Sequence, residues 1–431
     1  MSDTINVGLL GHGVVGGGVA RTLREKAETI ARRVGRPVAL RGVLVRDLSR
    51  HTGTPELQLT VNPADVLEDP DVHIIVEVMG GEQPAHDYMR RAIANGKHVV
   101  TANKEVMAKH GPSIVAAAAG RGLDVAYEAS VGGGIPVIGP FKLDLLANDI
   151  SRIAAIINGT TNYIITRMST AGLDFETALR EAQDAGYAEA DPRNDIEGID
   201  AAYKLSILST LAFHANVHPD QVYREGITGL RPSDFRYARE LGYSIRLLAI
   251  AKLIDGGLEA RVHPTLVPAG TMLASVDDVY NAVQVEGDLV GRILFYGRGA
   301  GAGPTASAVV ADVIDLAQRI VGGVVRPALA AYDESIRVRD MADVNSRYYI
   351  RIVAADRPGV IAQVAGIFGA RNISLTSVIQ KEDVQQVGDD RHAEIVFMTH
   401  TAHEGSMQQA LTEIRQLPVV GEIGSIIRVE D

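Results

Sequence analysis

The stretch from Gly186 to Lys204, GYAEADPRNDIEGIDAAYK, concentrates the residues best able to do chemistry. It carries five carboxylates, Glu189, Asp191, Asp195, Glu197 and Asp200, and ends in a lysine. Asp200 and Lys204 have i,i+4 spacing, so on a helix they share one face. Ile207 and Leu211 extend that stripe. Leu205, Leu208 and Phe213 make the segment apolar nearly all round, the pattern of a buried helix. A buried lysine beside a buried aspartate is costly unless the pair does chemistry or is thoroughly hydrogen-bonded. The bland alternative is an i,i+4 surface pair, and the apolar neighbours count against it.

A hydride carrier is suggested at the other end of the chain. The apolar run 5–10 reads as a short buried strand and leads straight into Gly11-His12-Gly13-Val14-Val15-Gly16. Val19, Leu23, Ala27 and Ile30 then recur at helical spacing. This is G-x-G-x-x-G between a strand and a helix, the context that a dinucleotide fingerprint requires. The glycines allow a tight turn and close approach to a pyrophosphate at the helix N-terminus. A second strand, 38–45, ends at Arg46-Asp47. An arginine there favours the 2′-phosphate of NADP, an acidic residue the ribose hydroxyl of NAD. Arg46 comes first, so NADP is preferred, with NAD possible. Arg46 can also be read as a solvated loop residue.

Further βα units must position these groups. Residues 72–78 read as a strand ending in Met79-Gly80-Gly81, and 84–94 as an amphipathic helix closed by Asn95-Gly96. Residues 98–101 form a strand leading to Ala102-Asn103-Lys104. Strand ends of this kind line the ligand crevice of an open parallel sheet, which puts Thr101 and Lys104 at the cofactor edge. Lys104 can equally be a surface lysine at a helix start. A strand over 124–128 enters the glycine-rich loop 129–136. Such a loop can ligate a hard cation through carbonyl oxygens, with Glu128 supplying charge, or be a plain hinge.

Residues 153–157 read as a strand before Asn158-Gly159-Thr160-Thr161-Asn162 and a helix, and 175–185 as another helix. Strand-like runs at 260–267, 281–286 and 292–295 describe an α+β domain outside the nucleotide fold. A glycine run, 297–303, precedes a long helix reaching Ile320, and is either a second anion cradle or a flexible return connection. Residues 342–347 look like a polar linker. Beyond them the order is strand 348–354, helix 356–368, strands 373–380 and 393–399, helix 406–417 and strand 423–429. That β-α-β-β-α-β order is ferredoxin-like. It holds no acid-base constellation, so binding is its expected role.

Composition narrows the options. A chain of 431 residues, 46% hydrophobic, supports two or three domains with ample core. Its net charge of −11 is spread without long like-charge blocks, which leaves no nucleic-acid footprint. No apolar run is long enough for a membrane span, and the start MSDTINV carries no basic-then-apolar leader. A cytoplasmic location is therefore expected. The absence of cysteine removes disulfides, thiolate zinc sites and cysteine nucleophiles. His214 and His218 have metal-pair spacing but lack the glutamate of H-E-x-x-H and fall at a helix end.

Taken together, GLLGHGVVG, TANK ending at Lys104, YEASVGGGIP from Tyr127, NGTTNY from Asn158 and the 186–204 segment closely resemble homoserine dehydrogenase. DRPGV and RNIS, Arg371 to Ser374, resemble an ACT domain. The resemblance spans essentially the whole chain. It implies a Rossmann-like dinucleotide-binding domain over 1–137, completed by a return helix at 304–325. An α+β substrate-binding, catalytic and dimerisation domain follows over 138–303, then a C-terminal ferredoxin-like ACT regulatory domain over 348–431. It implies reversible NAD(P)H-dependent reduction of L-aspartate 4-semialdehyde to L-homoserine, in threonine, methionine and isoleucine biosynthesis.

By the same resemblance, Lys204 is the general acid/base, with Lys104 and Asp200 beside it in catalysis. Glu189, Asp195 and Asp200 form the substrate-binding patch. Gly11, Gly13, Val14, Val15, Gly16, Arg46, Thr101, Lys104, Gly186 and Gly301 contact the cofactor. Glu128, Val131, Gly133 and Ile135 bind a structural sodium ion, mostly through main-chain carbonyls. Threonine is the expected effector, and a homodimer or homotetramer the expected assembly. Removing residues from about 345 onward should then leave an active, threonine-insensitive enzyme, if the remainder folds alone. Aspartate-semialdehyde dehydrogenase, with similar substrates, needs a catalytic cysteine and is excluded. The alternatives are an NADP-dependent dehydrogenase of another small amino or hydroxy acid, and a non-catalytic amino-acid sensor.

Overall fold

Short β-branched runs alternating with amphipathic helices give the N-terminal part a parallel sheet. Its six strands lie in the order Leu59–Thr60, Val38–Leu44, Ile5–Leu10, Ile74–Glu77, His98–Thr101, Val125–Ala126. All five strand pairs are parallel. Strand order reverses beside Ile5–Leu10, the switch point at which ligands bind in such sheets. The computed structural model describes residues 4–51, 57–324, 332–387 and 390–430.

The sheet is held by a core that mixes both ends of this region. Val7, Leu9, Val43, Val76 and Val100 from strands pack with Val19, Leu23 and Ile30 from helices. Val309, Val313 and Leu316 of the helix Ala302–Gly322 join the same core. Gly18 permits the approach: a Cβ there would lie 2.9 Å from the Ala302 carbonyl oxygen. By packing, residues 1–150, 203–219 and 281–335 form one compact unit. Residues 151–202, 220–280 and 336–431 form the other, and the boundary falls inside the helix Ile199–Ala212.

Several elements differ from the sequence expectation, each for a local reason. The helical run after Gly13 divides into Val14–Glu25 and Ala27–Val34. Thr22 Oγ1 donates back to the Gly18 carbonyl at 2.7 Å, a bond that bends helices, and Lys26 leaves helical geometry. The strand expected over 72–78 shortens to Ile74–Glu77, because the Glu77 carboxylate turns the chain by accepting the Met79 amide at 2.8 Å. The strand expected over 124–128 is only Val125–Ala126, followed by one 3-10 turn, Glu128–Ser130.

In the second unit the strands run Ile150–Ile156, Tyr243–Ile254, Gly257–Pro268, Val420–Val429, Asn345–Ala355, Asp390–Thr399, Leu375–Val387. Tyr243–Ile254 had no counterpart in the sequence expectation. It forms a long hairpin with Gly257–Pro268. Asp255 and Gly256, at φ 51° and 76°, make the two-residue left-handed turn that suits twisted strands. The last four strands, with helices Val360–Ala370 and Glu404–Arg415, form the ferredoxin-like layer, in the order last, first, third, second. Tyr348, Ile350, Val364, Phe368, Phe397 and Leu411 fill its core.

This layer is continuous with the rest of its unit. Thr265 pairs with Arg428 and Leu266 with Val429 in a parallel ladder. The stretch 342–347, expected as a polar linker, is instead a 3-10 turn, Met341–Asp343, running into the strand Asn345–Ala355. Buried charges tie the two parts. Arg351 Nε donates to Asp234 at 2.7 Å, and Asp234 also accepts from Ser425 Oγ at 2.6 Å and Tyr349 OH at 3.0 Å. Arg428 donates twice to Glu404, at 2.7 Å each, and to Glu225 at 2.9 Å. Glu430 accepts from Arg152 at 2.8 Å and Arg261 at 3.2 Å, and pairs with Lys252.

Candidate active site

The glycine turn is built as a cradle. Gly11 sits at φ 96°, which favours glycine, and a Cβ on Gly16 would lie 2.0 Å from the Gly11 carbonyl oxygen. Gly13 faces open space, with nothing within 4 Å of a built Cβ. Val14 beside it is 74% exposed, an apolar group left open at a helix N-terminus. These features fit a pyrophosphate resting on the first helical turn. Gly16→Ala is expected to lose about 1–3 kcal/mol of stability by overpacking and to weaken nicotinamide nucleotide binding. Thermal melts and fluorescence titration check this; wild-type values in both would remove Gly16 from the cradle.

At the end of the next strands a buried carboxylate organises the loop. Glu77 is fully buried, and burial pushes its carboxyl above the usual range. It faces Thr101 in the strand register and accepts from Thr101 Oγ1 at 2.7 Å. Thr101 Oγ1 accepts the Asn103 amide at 2.9 Å, and Asn103 Oδ1 caps the helix Lys104–Ala119 by accepting Val106 N at 3.1 Å. Asn103 Nδ2 reaches the Gly81 carbonyl at 2.8 Å. This network places Lys104, half-buried, as the first residue of its helix. A cation there opposes the helix dipole, so its position is not explained by helix stability. Sequence reasoning assigned no role to Glu77; an acidic residue closing the apolar run IIVE was the available signal.

In the second unit the acidic segment sorts into distinct environments. Asp191 is exposed and paired with Arg193, their closest atoms 2.5 Å apart. Glu197 and Glu189 are exposed. Glu189 is oriented through its main chain, where Gln183 Nε2 donates to its carbonyl at 3.1 Å. Gly186 is also exposed and adopts φ 74°. Asp195 and Asp200 are brought together: Asn158 Nδ2 donates to Asp195 Oδ1 at 2.6 Å and to Asp200 Oδ2 at 2.9 Å. Asp200 is 2% exposed and Asn158 5%. Thr160 Oγ1 donates to the Tyr187 carbonyl at 2.6 Å, which ties the turn before Glu189 to the helix Gly159–Ala171. Asn158 and Thr160 were visible only as parts of NGTTNY.

The helix Ile199–Ala212 has the all-round apolar character read from its sequence, with Ala201, Ala202, Leu205, Ile207, Leu208 and Leu211 buried. Asp200 and Lys204 lie one turn apart on it, and Lys204 is half-buried.

A nucleotide cradle and a carboxylate cluster are joined to a ferredoxin-like layer in one chain, and known proteins match this chain over nearly its whole length. Residues 11–128 match the homoserine dehydrogenase NAD-binding domain family, 136–314 the homoserine dehydrogenase family and 348–419 the ACT domain family. The chain is 45% identical to a homoserine dehydrogenase of Synechocystis, covering 99% of both chains. The chain belongs to the homoserine dehydrogenase family. It is an oxidoreductase with an ACT domain.

The crystal structure of a homoserine dehydrogenase from Thiobacillus denitrificans superposes with a TM-score of 0.92, at 45% identity, covering 99% of this chain and 98% of that one. A hyperthermophilic archaeal homoserine dehydrogenase in complex with NADPH matches at TM-score 0.64 and 28% identity, covering 75% of this chain and 100% of that one.

Within this homoserine dehydrogenase fold the expected cation loop is tightly framed. Glu128 Oε1 accepts Val137 N at 2.6 Å and Ile138 N at 2.8 Å, and Oε2 accepts Gly139 N at 2.6 Å. Its carboxylate thus caps the short helix Ile138–Lys142. Val131 and Ile135 are buried, and a Cβ on Gly133 would lie 2.2 Å from the Gly299 carbonyl oxygen. Among the described residues, no group of three or more His, Cys, Asp or Glu could hold a metal ion. A cation here would rely on main-chain oxygens, as the sequence reading has it. The glycine run 297–303 is the end of strand Gly291–Arg298 and the start of helix Ala302–Gly322, and Gly301 at φ 123° serves as the helix N-cap.

At Arg46-Asp47, Asp47 accepts from Ser49 N at 2.9 Å and Ser49 Oγ at 2.7 Å, and Arg46 is exposed. In the ACT domain, a cavity of about 370 Å³ is lined by Asp356, Arg357, Pro358, Gly359 and Gln380. Among the described residues, no helix is long and apolar enough to cross a membrane.

Proposed function

We propose that the chain reduces L-aspartate 4-semialdehyde to L-homoserine reversibly, with Lys204 as general acid/base. The observation carrying this reading is the Asp195–Asn158–Asp200 cluster, one helical turn from Lys204. Two carboxylates held on one amide suit an amino-acid substrate, whose ammonium Asp200, Asp195 and Glu189 would bind. When bound, the nicotinamide supplies the hydride. Lys204 gives a proton to the substrate oxygen as the carbonyl carbon is reduced, and takes it back in the reverse direction. Lys104 assists at the same oxygen. No nucleophile is needed, in keeping with a chain without cysteine.

The cofactor reading favours NADP. Asp47 is engaged with Ser49, while Arg46 is exposed and available to a 2′-phosphate. The glycine cradle Gly11, Gly13 and Gly16, with Val14, Val15, Thr101, Gly186 and Gly301, would hold the rest. We assign a sodium ion to the main chain of Glu128, Val131, Gly133 and Ile135, where the Glu128 carboxylate adds negative charge. The ACT cavity suits a small amino acid, and threonine is the effector we assign to it. A homodimer or homotetramer in the cytoplasm completes the reading.

Steady-state assay separates these possibilities. NADPH oxidation with aspartate semialdehyde is expected, with a lower KM for NADPH than for NADH and inhibition by added threonine. No turnover, under conditions where cofactor binds, would reject the reaction and favour a sensor.

A further inference from the structure

We infer that Asn158 is a positioning residue that sets the substrate-binding carboxylates Asp195 and Asp200. The inference rests on the substrate reading above. Its basis is one amide with every polar atom engaged. Nδ2 donates to both carboxylates, at 2.6 and 2.9 Å. Oδ1 accepts Thr161 N at 2.8 Å and Thr161 Oγ1 at 3.0 Å, which caps the helix Gly159–Ala171. The side chain is therefore fixed at both ends, and its NH₂ group has no freedom to turn away.

The chemistry of that bridge is specific. Two carboxylates held this close repel each other. A neutral amide donor shared between them satisfies one oxygen of each without adding a charge. A lysine or arginine there would neutralise the pocket and compete with a substrate ammonium. A carboxylate there would add a third negative charge and supply no donor. Asparagine alone combines a helix cap with a neutral two-hydrogen donor of this reach.

The cap and the bridge can be separated by substitution. Asn158→Asp and Asn158→Ser both keep a good cap, and both lose the bridge. We expect kcat/KM for homoserine to fall about ten-fold or more in each, carried mainly by KM, with KM for NADP and the melting temperature near wild type. The Asn158→Asp deficit should shrink as pH falls, because the introduced carboxyl then carries a proton and can donate again. The Asn158→Ser deficit should keep its size. Wild-type KM for homoserine in either variant would overturn the inference. So would an Asn158→Asp deficit that ignores pH, or a large loss of melting temperature in both variants, which marks the bridge as a support of the fold rather than of the substrate site. Asp200→Asn measured alongside separates the two levels. If it raises KM for homoserine while the Asn158 variants do not, only the bridge fails. If it leaves KM unchanged, the substrate reading itself fails.

Discussion

Lys204→Ala is expected to lower kcat by about 10²–10⁴-fold, the usual worth of a positioned general acid, and to leave the Kd for NADPH near wild type. The residue lies on the buried helix Ile199–Ala212, whose fold rests on Leu205, Leu208 and Leu211 rather than on the lysine. Truncating a half-buried lysine on such a helix leaves the packing in place. The nucleotide cradle at Gly11, Gly13 and Gly16 is formed by a different stretch of chain, so cofactor binding should survive. Lys204→Arg sharpens the test. Arginine keeps the positive charge but does not release a proton at accessible pH. If charge alone mattered, this variant would retain most of kcat; if proton transfer matters, it should be nearly as impaired as the alanine variant. Pre-steady-state hydride transfer, followed by NADPH absorbance in both directions, reads the effect. Normal turnover in Lys204→Ala would remove the residue from its role.

Removing residues 345–431 is expected to destabilise the remaining chain severely rather than release an unregulated enzyme. This revises the expectation that the ACT domain can be cut away cleanly. Truncation removes the parallel pairing of Thr265 with Arg428 and Leu266 with Val429 from the end of the strand Gly257–Pro268. It also strips partners from buried charges. Asp234 loses Arg351, Ser425 and Tyr349, and Arg152, Lys252 and Arg261 lose Glu430. Breaking one buried ion pair from a single side costs about 3–5 kcal/mol, and whole domains have only about 5–15 to lose.

Thermal melts and solubility of the truncated chain test this, with Arg351→Ala as the single-site comparison. A truncated chain that melts like wild type would refute the interlock. The archaeal relative that spans 75% of this chain shows that a shorter homoserine dehydrogenase exists, so the prediction concerns the charges of this sequence. The pH dependence has a defined sign. Burial alone would raise Glu404 and Glu430, but Arg428 holds the first, and Lys252, Arg261 and Arg152 the second, below the ordinary 4.5. Their contribution is complete above that value and is lost as pH falls through the lower folded-state values.

Local patterns made much of the fold legible. Strands Ile5–Leu10 and His98–Thr101 coincide with their apolar runs, since turn residues bound both sides. The helix starts at Asn103 and Asn158 follow from side chains that cap their own backbone. Tyr243–Ile254 escaped notice because twelve nearly apolar residues fit a buried strand or a buried helix equally well. Only pairing with Gly257–Pro268 decides between them. The linker reading of 342–347 failed because polar composition does not report a ladder formed with distant strands.

The candidate site divides in the same way. From sequence alone came the glycine cradle, the carboxylate-rich segment and the Asp200–Lys204 spacing, because each is written within a few consecutive residues. Spacing along one helix or one turn is fixed by backbone geometry. Which of the carboxylates is buried, and which is bound to an arginine at the surface, depended on tertiary structure. So did the bridge from Asn158 to Asp195 and Asp200, the support of Thr101 by Glu77, and the tie between the ACT layer and Asp234. Those contacts join residues far apart in the chain, and their energies come from burial and hydrogen-bond geometry that no local pattern encodes.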